Sequence, residues 1–186
     1  DLLEAVATQD AYSNLLLPEL IDEYTLDSRD AGFATELSLG SLRWRGFLDA
    51  VITSASGREV DRIDPPIRDI LRLGIYQILF MRVPDHAAVS SSVDLAMWVR
   101  MKSASGLVNA VLRKVTEHDV DYWSERITEG IDDEAEKLSI RWSHPRWEVN
   151  ALRDALGSKS NELGELLEVD NSSPGITGVS RCGDDG

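Results

Sequence analysis

Apolar residues three and four positions apart dominate this sequence, which is the period of an amphipathic α-helix. The pattern is densest after Asp64-Pro65-Pro66, where Asp64 is placed to cap a helix and Pro65 to take its first position. The apolar face that follows is broad, and it consists of Ile67, Ile70, Leu71, Gly74, Ile75, Ile78 and Leu79. A face of that width predicts a central, mostly buried helix. Because Gly74 costs about 1 kcal/mol relative to alanine inside a helix, its presence indicates a close helix crossing.

The helical period extends to both sides of this segment, and no β-strand pattern occurs before about residue 175. Asp27 and Asp85 are placed to cap two further helices. We therefore predict an all-α fold, with a compact helical bundle over residues 1–120 and a helical connector over residues 121–170. Residues 171–186 are predicted to be the start of a truncated α/β domain.

The connector has two recognisable parts. The acidic run over residues 129–136 lacks the glycine and the spacing of a calcium loop, so we interpret it as a solvated helix and the segment leading into it. Ser143-His-Pro-Arg-Trp147 then opens a helix by the same arrangement of a polar residue before a proline, and this helix carries Trp147, Ala151 and Ala155 on one face. A solvated acidic connector would repel a polyanion and keep it on other parts of the molecule.

Charge is distributed unevenly along the 186 residues, whose net charge is −14. Residues 1–39 hold nine acids and one base, residues 40–115 hold eleven bases and seven acids, and residues 116–186 hold seven bases and seventeen acids. The net charges of these segments are therefore −8, +4 and −10. A basic middle between acidic ends predicts a local positive patch that the overall charge conceals.

The remaining composition excludes several classes of protein. Cys182 is the only cysteine, so an internal disulfide and a cysteine-rich zinc site are both impossible within this chain. The three histidines lack the spacing of metal ligands, and no apolar run reaches the ~18 residues that span a bilayer. We expect a reduced, soluble, cytoplasmic protein with no metal, no membrane partner and no cofactor bound in this chain.

The basic middle contains six candidate RNA-binding residues. Arg43 and Arg45 flank Trp44, which would place two guanidinium groups for phosphate contact beside an aromatic ring; the alternative is a core Trp44 with two surface arginines. Asn109 and Arg113 are neighbours on one helical face. The other two candidates, which extend this positive charge, are Lys102 and Lys114. The alternatives here are a hydrogen bond from Asn109 to a neighbouring loop or helix end, and simple solvation of Arg113 and Lys114.

Several motifs resemble a known family. The first part of the pattern is Arg29-Asp-Ala-Gly-Phe-Ala34, Gly40-Ser-Leu-Arg43 and Leu71-Arg-Leu-Gly-Ile-Tyr-Gln-Ile-Leu79. It resembles the helical fold named after the transcription antitermination factor NusB. The second part is Val83-Pro-Asp-His-Ala-Ala-Val89, Val93-Asp-Leu-Ala96, Gly106-Leu-Val-Asn-Ala-Val-Leu-Arg113 and Ser143-His-Pro-Arg-Trp147. It is similar to the amino-terminal region of the Sun/Fmu (RsmB) family of small-subunit ribosomal RNA methyltransferases.

This resemblance implies a parent enzyme that makes 5-methylcytosine from S-adenosylmethionine, with a cysteine thiolate attacking the base. The two catalytic cysteine motifs and the glycine-rich cofactor turn of that family are absent from the sequence, and Cys182 lies in Ser-Arg-Cys-Gly-Asp, which the family does not use for catalysis. The chain alone is therefore expected to be inactive, and we predict no catalytic residue within it.

Three functions remain open at this point. The first is an RNA-binding, substrate-orienting module whose partners are small-subunit ribosomal RNA and the catalytic domain of the same protein. The second is a NusB-type antitermination factor that binds RNA and a protein, although such a factor would end near residue 120. The third is a helical scaffold that docks on its own catalytic domain and binds no RNA.

Overall fold

The computed structural model describes residue 3, residue 6 and residues 13–99 and 101–171. All but the first residue of the predicted α/β start over 171–186, including the lone Cys182, lie outside these described residues. The described part of the chain contains α-helices, short 3₁₀ segments and loops, but no β-strand, so the all-α prediction is confirmed there.

Ten α-helices are present in the described residues, and we number them in chain order. They are α1 (Ser13–Glu23), α2 (Ser28–Arg43), α3 (Arg45–Ser56), α4 (Pro65–Phe80), α5 (Asp85–Trp98), α6 (Ser105–Val115), α7 (Val120–Arg126), α8 (Glu134–Arg141), α9 (Arg146–Leu156) and α10 (Leu163–Asn171). Three 3₁₀ segments occupy Val60–Arg62, Lys102–Ala104 and Gly157–Glu162. None of these helices has the length and apolar character needed to cross a lipid bilayer.

Helix α4 is the centre of the bundle, as its apolar face predicts. It packs against α2, α3, α5 and α6. Ile67, Leu71 and Ile75 are buried along it, and so are the polar side chains of Arg72 and Tyr76. A main core therefore forms around α4, to which α3 and α6 contribute most of the remaining buried residues.

Two of the three predicted helix caps differ from the prediction in detail. Asp27 caps α2 as expected, because its carboxylate accepts the N–H groups of Arg29 and Asp30 at 2.9 Å. Asp64 makes no such side-chain hydrogen bond. A cap side chain normally binds the backbone N–H of the second or third helical residue. The second residue here is Pro66, which has no N–H. Asp85 lies inside the first turn of α5, whose cap position is Pro84.

Two glycines allow α4 to lie close to its neighbours. A Cβ at Gly74 would lie 2.8 Å from Leu112 Cδ1 and 2.8 Å from Ser92 Oγ, which confirms the predicted close crossing. A Cβ at Gly40 of α2 would lie 2.1 Å from the ring of Tyr76. At both positions the missing side chain leaves room for a side chain of the neighbouring helix, so α2, α5 and α6 pack closely against α4.

The connector builds a second, smaller core from α8, α9 and α10. Its buried residues are Ala135, Val149, Leu163 and Leu167. The face of α9 that carries Trp147, Ala151 and Ala155 is exposed to solvent, and Val149 with Leu152 and Leu156 forms the packed face instead. Both stripes have helical spacing, and the stripe with branched aliphatic side chains is the one that is buried.

The connector is joined to the bundle at the start of α3. Ser143 Oγ accepts a hydrogen bond of 2.7 Å from the backbone N–H of Gly46, the second residue of α3. The ring of Trp142 lies 6.0 Å from that of Trp44 between centroids. A Cβ at Gly46 would lie 3.1 Å from Ser143 Oγ, so the glycine permits this approach. Ser143 therefore caps a helix that lies 97 residues earlier in the sequence.

Gly40→Ala and Gly32→Ala form a matched pair for testing the close approach on α4. Both glycines lie in α2, but a Cβ at Gly32 meets nothing within 4 Å. We expect Gly40→Ala to lower the free energy of unfolding by about 1–3 kcal/mol, because the new methyl group displaces the buried ring of Tyr76. Gly32→Ala should raise it by about 0.5–1 kcal/mol through helix propensity. Urea unfolding followed by circular dichroism checks both; equal effects would contradict the packing described here.

Ser143→Ala tests the cap that joins the connector to the bundle. Losing the acceptor for Gly46 N–H should lower the free energy of unfolding by about 1 kcal/mol, which is typical of a helix cap. Ser90→Ala is the control, since Ser90 is exposed on α5. Hydrogen exchange at the first turn of α3 should increase in Ser143→Ala and stay unchanged in Ser90→Ala. Unaltered exchange in both variants would show that the cap does not hold this turn.

Candidate nucleic-acid interface

Two arginines of the basic middle (residues 40–115) form ion pairs within the bundle. The side chain of Arg72 is only 4% exposed; its Nε and Nη2 donate to the two carboxylate oxygens of Asp49 at 2.7 and 2.8 Å, and its Nη1 donates to Asp69 at 2.8 Å. Burial alone would lower the pKa of Arg72, but the bonds to Asp49 and Asp69 outweigh it and raise that pKa. Arg68 pairs with Asp61 at 3.2 Å. Neither Arg68 nor Arg72 is available as a free phosphate contact.

Arg43 and Arg45 lie at the junction of α2 and α3, on either side of Trp44. The ring of Trp44 stacks on Phe80 at 4.5 Å and packs edge-on against Phe47 at 5.6 Å, so Trp44 is part of the aromatic core. Arg45 is exposed and Arg43 is partly buried. No carboxylate oxygen of a described residue lies within 4.0 Å of either guanidinium group.

Arg43 also lies beside a partly buried polar pair. The Tyr76 hydroxyl donates a hydrogen bond of 2.7 Å to Glu36 Oε1. Burial raises the pKa of Tyr76, the bond to Glu36 raises it further, and the positive charge of Arg43 acts in the opposite direction. Tyr76 therefore serves as a neutral hydrogen-bond donor within the bundle.

Asn109 and Arg113 lie one turn apart on α6 and bond to each other. Arg113 Nε donates to Asn109 Oδ1 at 3.2 Å, so the partner of Asn109 is on its own helix and not on a neighbouring loop. Both residues line a shallow cleft of about 470 Å³, together with Asp85 and His86 of α5. Asp85 brings a negative charge into this cleft.

Lys114 has a different neighbour. Its Nζ donates a hydrogen bond of 3.2 Å to the backbone oxygen of Ala55, in the last turn of α3. A cation at the carboxyl end of a helix complements the helix dipole. Lys114 remains exposed while it makes this bond.

Lys102 lies near two arginines that the sequence analysis did not select. It is exposed on the 3₁₀ segment before α6, and the next two residues, Ser103 and Ala104, line a shallow cleft of about 370 Å³. Arg58, Arg62 and the acidic Asp64 line the same cleft. Arg58 and Arg62 are exposed, and no carboxylate oxygen of a described residue lies within 4.0 Å of them. The available signal was their position in Gly57-Arg-Glu-Val-Asp-Arg62, a short loop between two helices.

We define the basic edge as Arg58, Arg62, Lys102 and Lys114. Leu107, Val111 and Lys114 are four and three residues apart on α6 and so share one face. That face meets the end of α3 at Ala55 and the loop carrying Arg58. Three cations of the edge have no ion pair among the described residues, and the fourth bonds only a backbone oxygen.

The six predicted residues therefore occupy three parts of the bundle. Arg43 and Arg45 lie at the start of α3, while Lys114 lies at its end, about 15 Å away along a helix of 12 residues. Asn109 and Arg113 open onto the cleft beside α5. Lys102 and Lys114 belong to the basic edge, which is the largest of these groups of exposed cations.

The connector presents the opposite charge. Arg146 pairs with Asp133 and Glu136, and Arg126 pairs with Glu129. The cleft between connector and bundle, about 540 Å³ in volume, is lined by acidic Asp121, Glu125 and Glu168, among other residues. No group of three or more metal-ligating side chains occurs among residues 13–99 and 101–171.

The described residues thus form a helical bundle with one edge of exposed cations, and this bundle is joined to an acidic helical connector. Residues 1–117 match the NusB family over more than half of the chain, and the chain belongs to that family.

Similarity to known proteins extends beyond the matched region. A Mycobacterium tuberculosis protein whose name describes it as a methyltransferase is 41% identical over 184 residues, which is 98% of this chain and 40% of the relative. Ribosomal RNA small subunit methyltransferase B of Pseudomonas putida is 31% identical over 151 residues, 81% of this chain and 32% of the relative. The protein of the same name from Escherichia coli O157:H7 is 26% identical over 172 residues, 92% of this chain and 37% of the relative. The chain thus spans about two fifths or less of the length of these relatives.

Arg72→Met and Arg62→Gln test whether Arg72 stabilises the fold while Arg62 does not. We expect Arg72→Met to lower the free energy of unfolding by about 3 kcal/mol, because it leaves Asp49 and Asp69 partly buried without their partner. Arg62→Gln should change it by less than about 0.5 kcal/mol, as is usual for an exposed site. Urea titration measures both. A costly Arg62→Gln would mean that Arg62 is held by the fold and is not free for a ligand.

Proposed function

We propose that this chain is the RNA-binding, substrate-orienting module of a small-subunit ribosomal RNA (cytosine-5-)-methyltransferase. The observation that carries the proposal is the similarity, over 81% to 98% of the chain, to relatives described as methyltransferases, two of them by name ribosomal RNA small subunit methyltransferases. The family of residues 1–117 and the all-helical fold are consistent with it. The RNA of the small subunit is then the partner, in the cytoplasm.

The basic edge is the surface that fits this role best. Arg58, Arg62 and Lys102 are exposed and form no ion pair within the described part of the chain, although Asp64 lines the same cleft as the two arginines. Phosphate contacts from such side chains supply most of the affinity for RNA. Arg43, Arg45, Asn109 and Arg113 remain proposed contacts at two further places on the bundle. With so few cations, binding should be modest.

The chemistry of methyl transfer is proposed to lie outside this chain. S-adenosylmethionine supplies the methyl group in such enzymes and is held against a glycine-rich turn between a strand and a helix. The described residues contain no β-strand and hence no such turn, so they do not fit the cofactor. The module would hold unpaired RNA while the catalytic domain extracts and modifies the base.

The rival functions differ in what they require of the connector. Similarity to the methyltransferases continues past residue 120, and the connector is capped onto α3 through Ser143. Both observations favour the methyltransferase module over an antitermination factor that would end near residue 120. A scaffold that binds no RNA is left to experiment.

The salt dependence of RNA binding tests the proposal and the location of the site. We expect the chain to bind a single-stranded segment of small-subunit ribosomal RNA, with an affinity that falls as salt rises. Each phosphate contact on a single strand adds about 0.7 to the slope of log affinity against log salt. The double change Arg58→Gln with Arg62→Gln should therefore reduce that slope by about 1.4. Filter binding at several salt concentrations measures it.

The matched control is Arg126→Gln with Arg146→Gln, since these arginines are paired with acids of the connector. This control should leave the slope unaltered. If Arg43→Gln with Arg45→Gln reduces the slope instead, RNA lies at the other end of α3. If the unaltered chain binds no RNA, the scaffold is the correct function and the proposal is wrong.

A further inference from the structure

Trp98 is the most exposed of the large apolar side chains that lie on the surface of the described residues, at 80% exposure. It is the last residue of α5. Four other tryptophans occur in the sequence, and Trp44, Trp123 and Trp142 are packed against the two cores. An indole ring gains a large hydrophobic stabilisation when it is covered, so a ring left open is available for a ligand.

The backbone that carries Trp98 is held in place on both sides. Met101 N–H donates to the Ala96 oxygen at 3.0 Å and closes the end of α5. Ala104 N–H donates to the Met101 oxygen at 2.9 Å, and Ser105 Oγ donates to the Lys102 oxygen at 2.7 Å. The described backbone near Trp98 is therefore tied to α5 and to the following 3₁₀ segment by hydrogen bonds, which limits the backbone entropy lost when a ligand stacks on the ring.

The chain leads from Trp98 directly into the basic edge. Lys102 of the basic edge follows four residues later, and Ser103 and Ala104 connect it to the cleft of Arg58 and Arg62. Asp94 lies one turn before Trp98 on the same side of α5. A polyanion would accordingly approach the ring from the Lys102 side.

We propose that Trp98 is a stacking platform for an unpaired RNA base whose neighbouring phosphates are held by the basic edge. Aromatic side chains stack on splayed-out bases of single strands, whereas bases inside a duplex are inaccessible to them. Binding of a protein partner would require a contiguous apolar patch of several hundred Å². Among the described residues within four positions of Trp98 in the chain, Met97 is the one other exposed large apolar residue. The inference rests on the proposed function and specifies its substrate as single-stranded RNA.

Two labelled oligonucleotides separate stacking from phosphate binding in the 186-residue chain. One is a single strand of about 12 nucleotides, within the range that one binding platform covers; the other has the same ribose-phosphate backbone without bases. Fluorescence anisotropy with the first probe should show Trp98→Ala binding about 5- to 100-fold more weakly, the range that base–aromatic stacking supplies. Binding of the abasic probe and the salt slope should stay unchanged, and Trp98→Phe should recover part of the loss.

Trp147→Ala is the matched control, because Trp147 is 72% exposed but lies on the connector. It should bind both probes as the unaltered chain does. Equal binding of the base-bearing probe by the unaltered chain and Trp98→Ala would overturn the inference and leave RNA binding intact. An equal loss for both probes in Trp98→Ala would also overturn it, as would a change in oligomeric state measured by sedimentation. If the unaltered chain binds neither probe, the proposed function fails first and the inference with it.

Discussion

Eight of the sixteen residues of helix α4 are buried, and the polar side chains among these eight need partners inside the protein. Arg72 is held by Asp49 and Asp69, and the Tyr76 hydroxyl by Glu36. Gln77 donates to the backbone oxygen of Leu73. These bonds fix α2 and α3 at one position along α4, because a shift of either helix would leave a buried charge or hydroxyl unpaired. The shape of the bundle follows from this requirement.

The sequence predicts the parts of this arrangement that depend on local period and size. The apolar stripe of α4 and the glycine at Gly74 are visible without knowledge of the neighbours, and so is the cap at Asp27. The role of Arg72 is not visible, because its partners lie 23 residues earlier and three residues earlier in the chain and only the folded contact identifies them. In the same way, α9 offers two stripes of helical spacing, and the choice between them depends on what packs against the helix.

The candidate interface was harder to predict for the same reason. A count of charges over residues 40–115 treats all its arginines alike. Arg68 and Arg72, however, form ion pairs within the bundle, whereas Arg58 and Arg62 are exposed. A core position for Trp44 is one of the alternatives given by the sequence, and its ring does pack against Phe47 and Phe80. The sequence alone does not indicate whether the flanking arginines are free or paired. Which cations remain free is a tertiary property, since it depends on where carboxylates of distant segments come to lie.

The junction between connector and bundle also bears on where RNA would bind. Acidic Asp121, Glu125 and Glu168 line the cleft beside Trp44, at the start of α3, whereas Lys114 and the loop of Arg58 lie at the end of α3, about 15 Å away. The Debye length at physiological salt is about 8 Å. Repulsion from these acids is therefore largely screened at the basic edge, while Arg43 and Arg45 lie within its reach. Helix α3 thus separates the acidic side chains of the connector from the basic edge of the bundle. Under the proposed function, this separation would leave the basic edge accessible to a polyanion even though the chain carries a high negative charge.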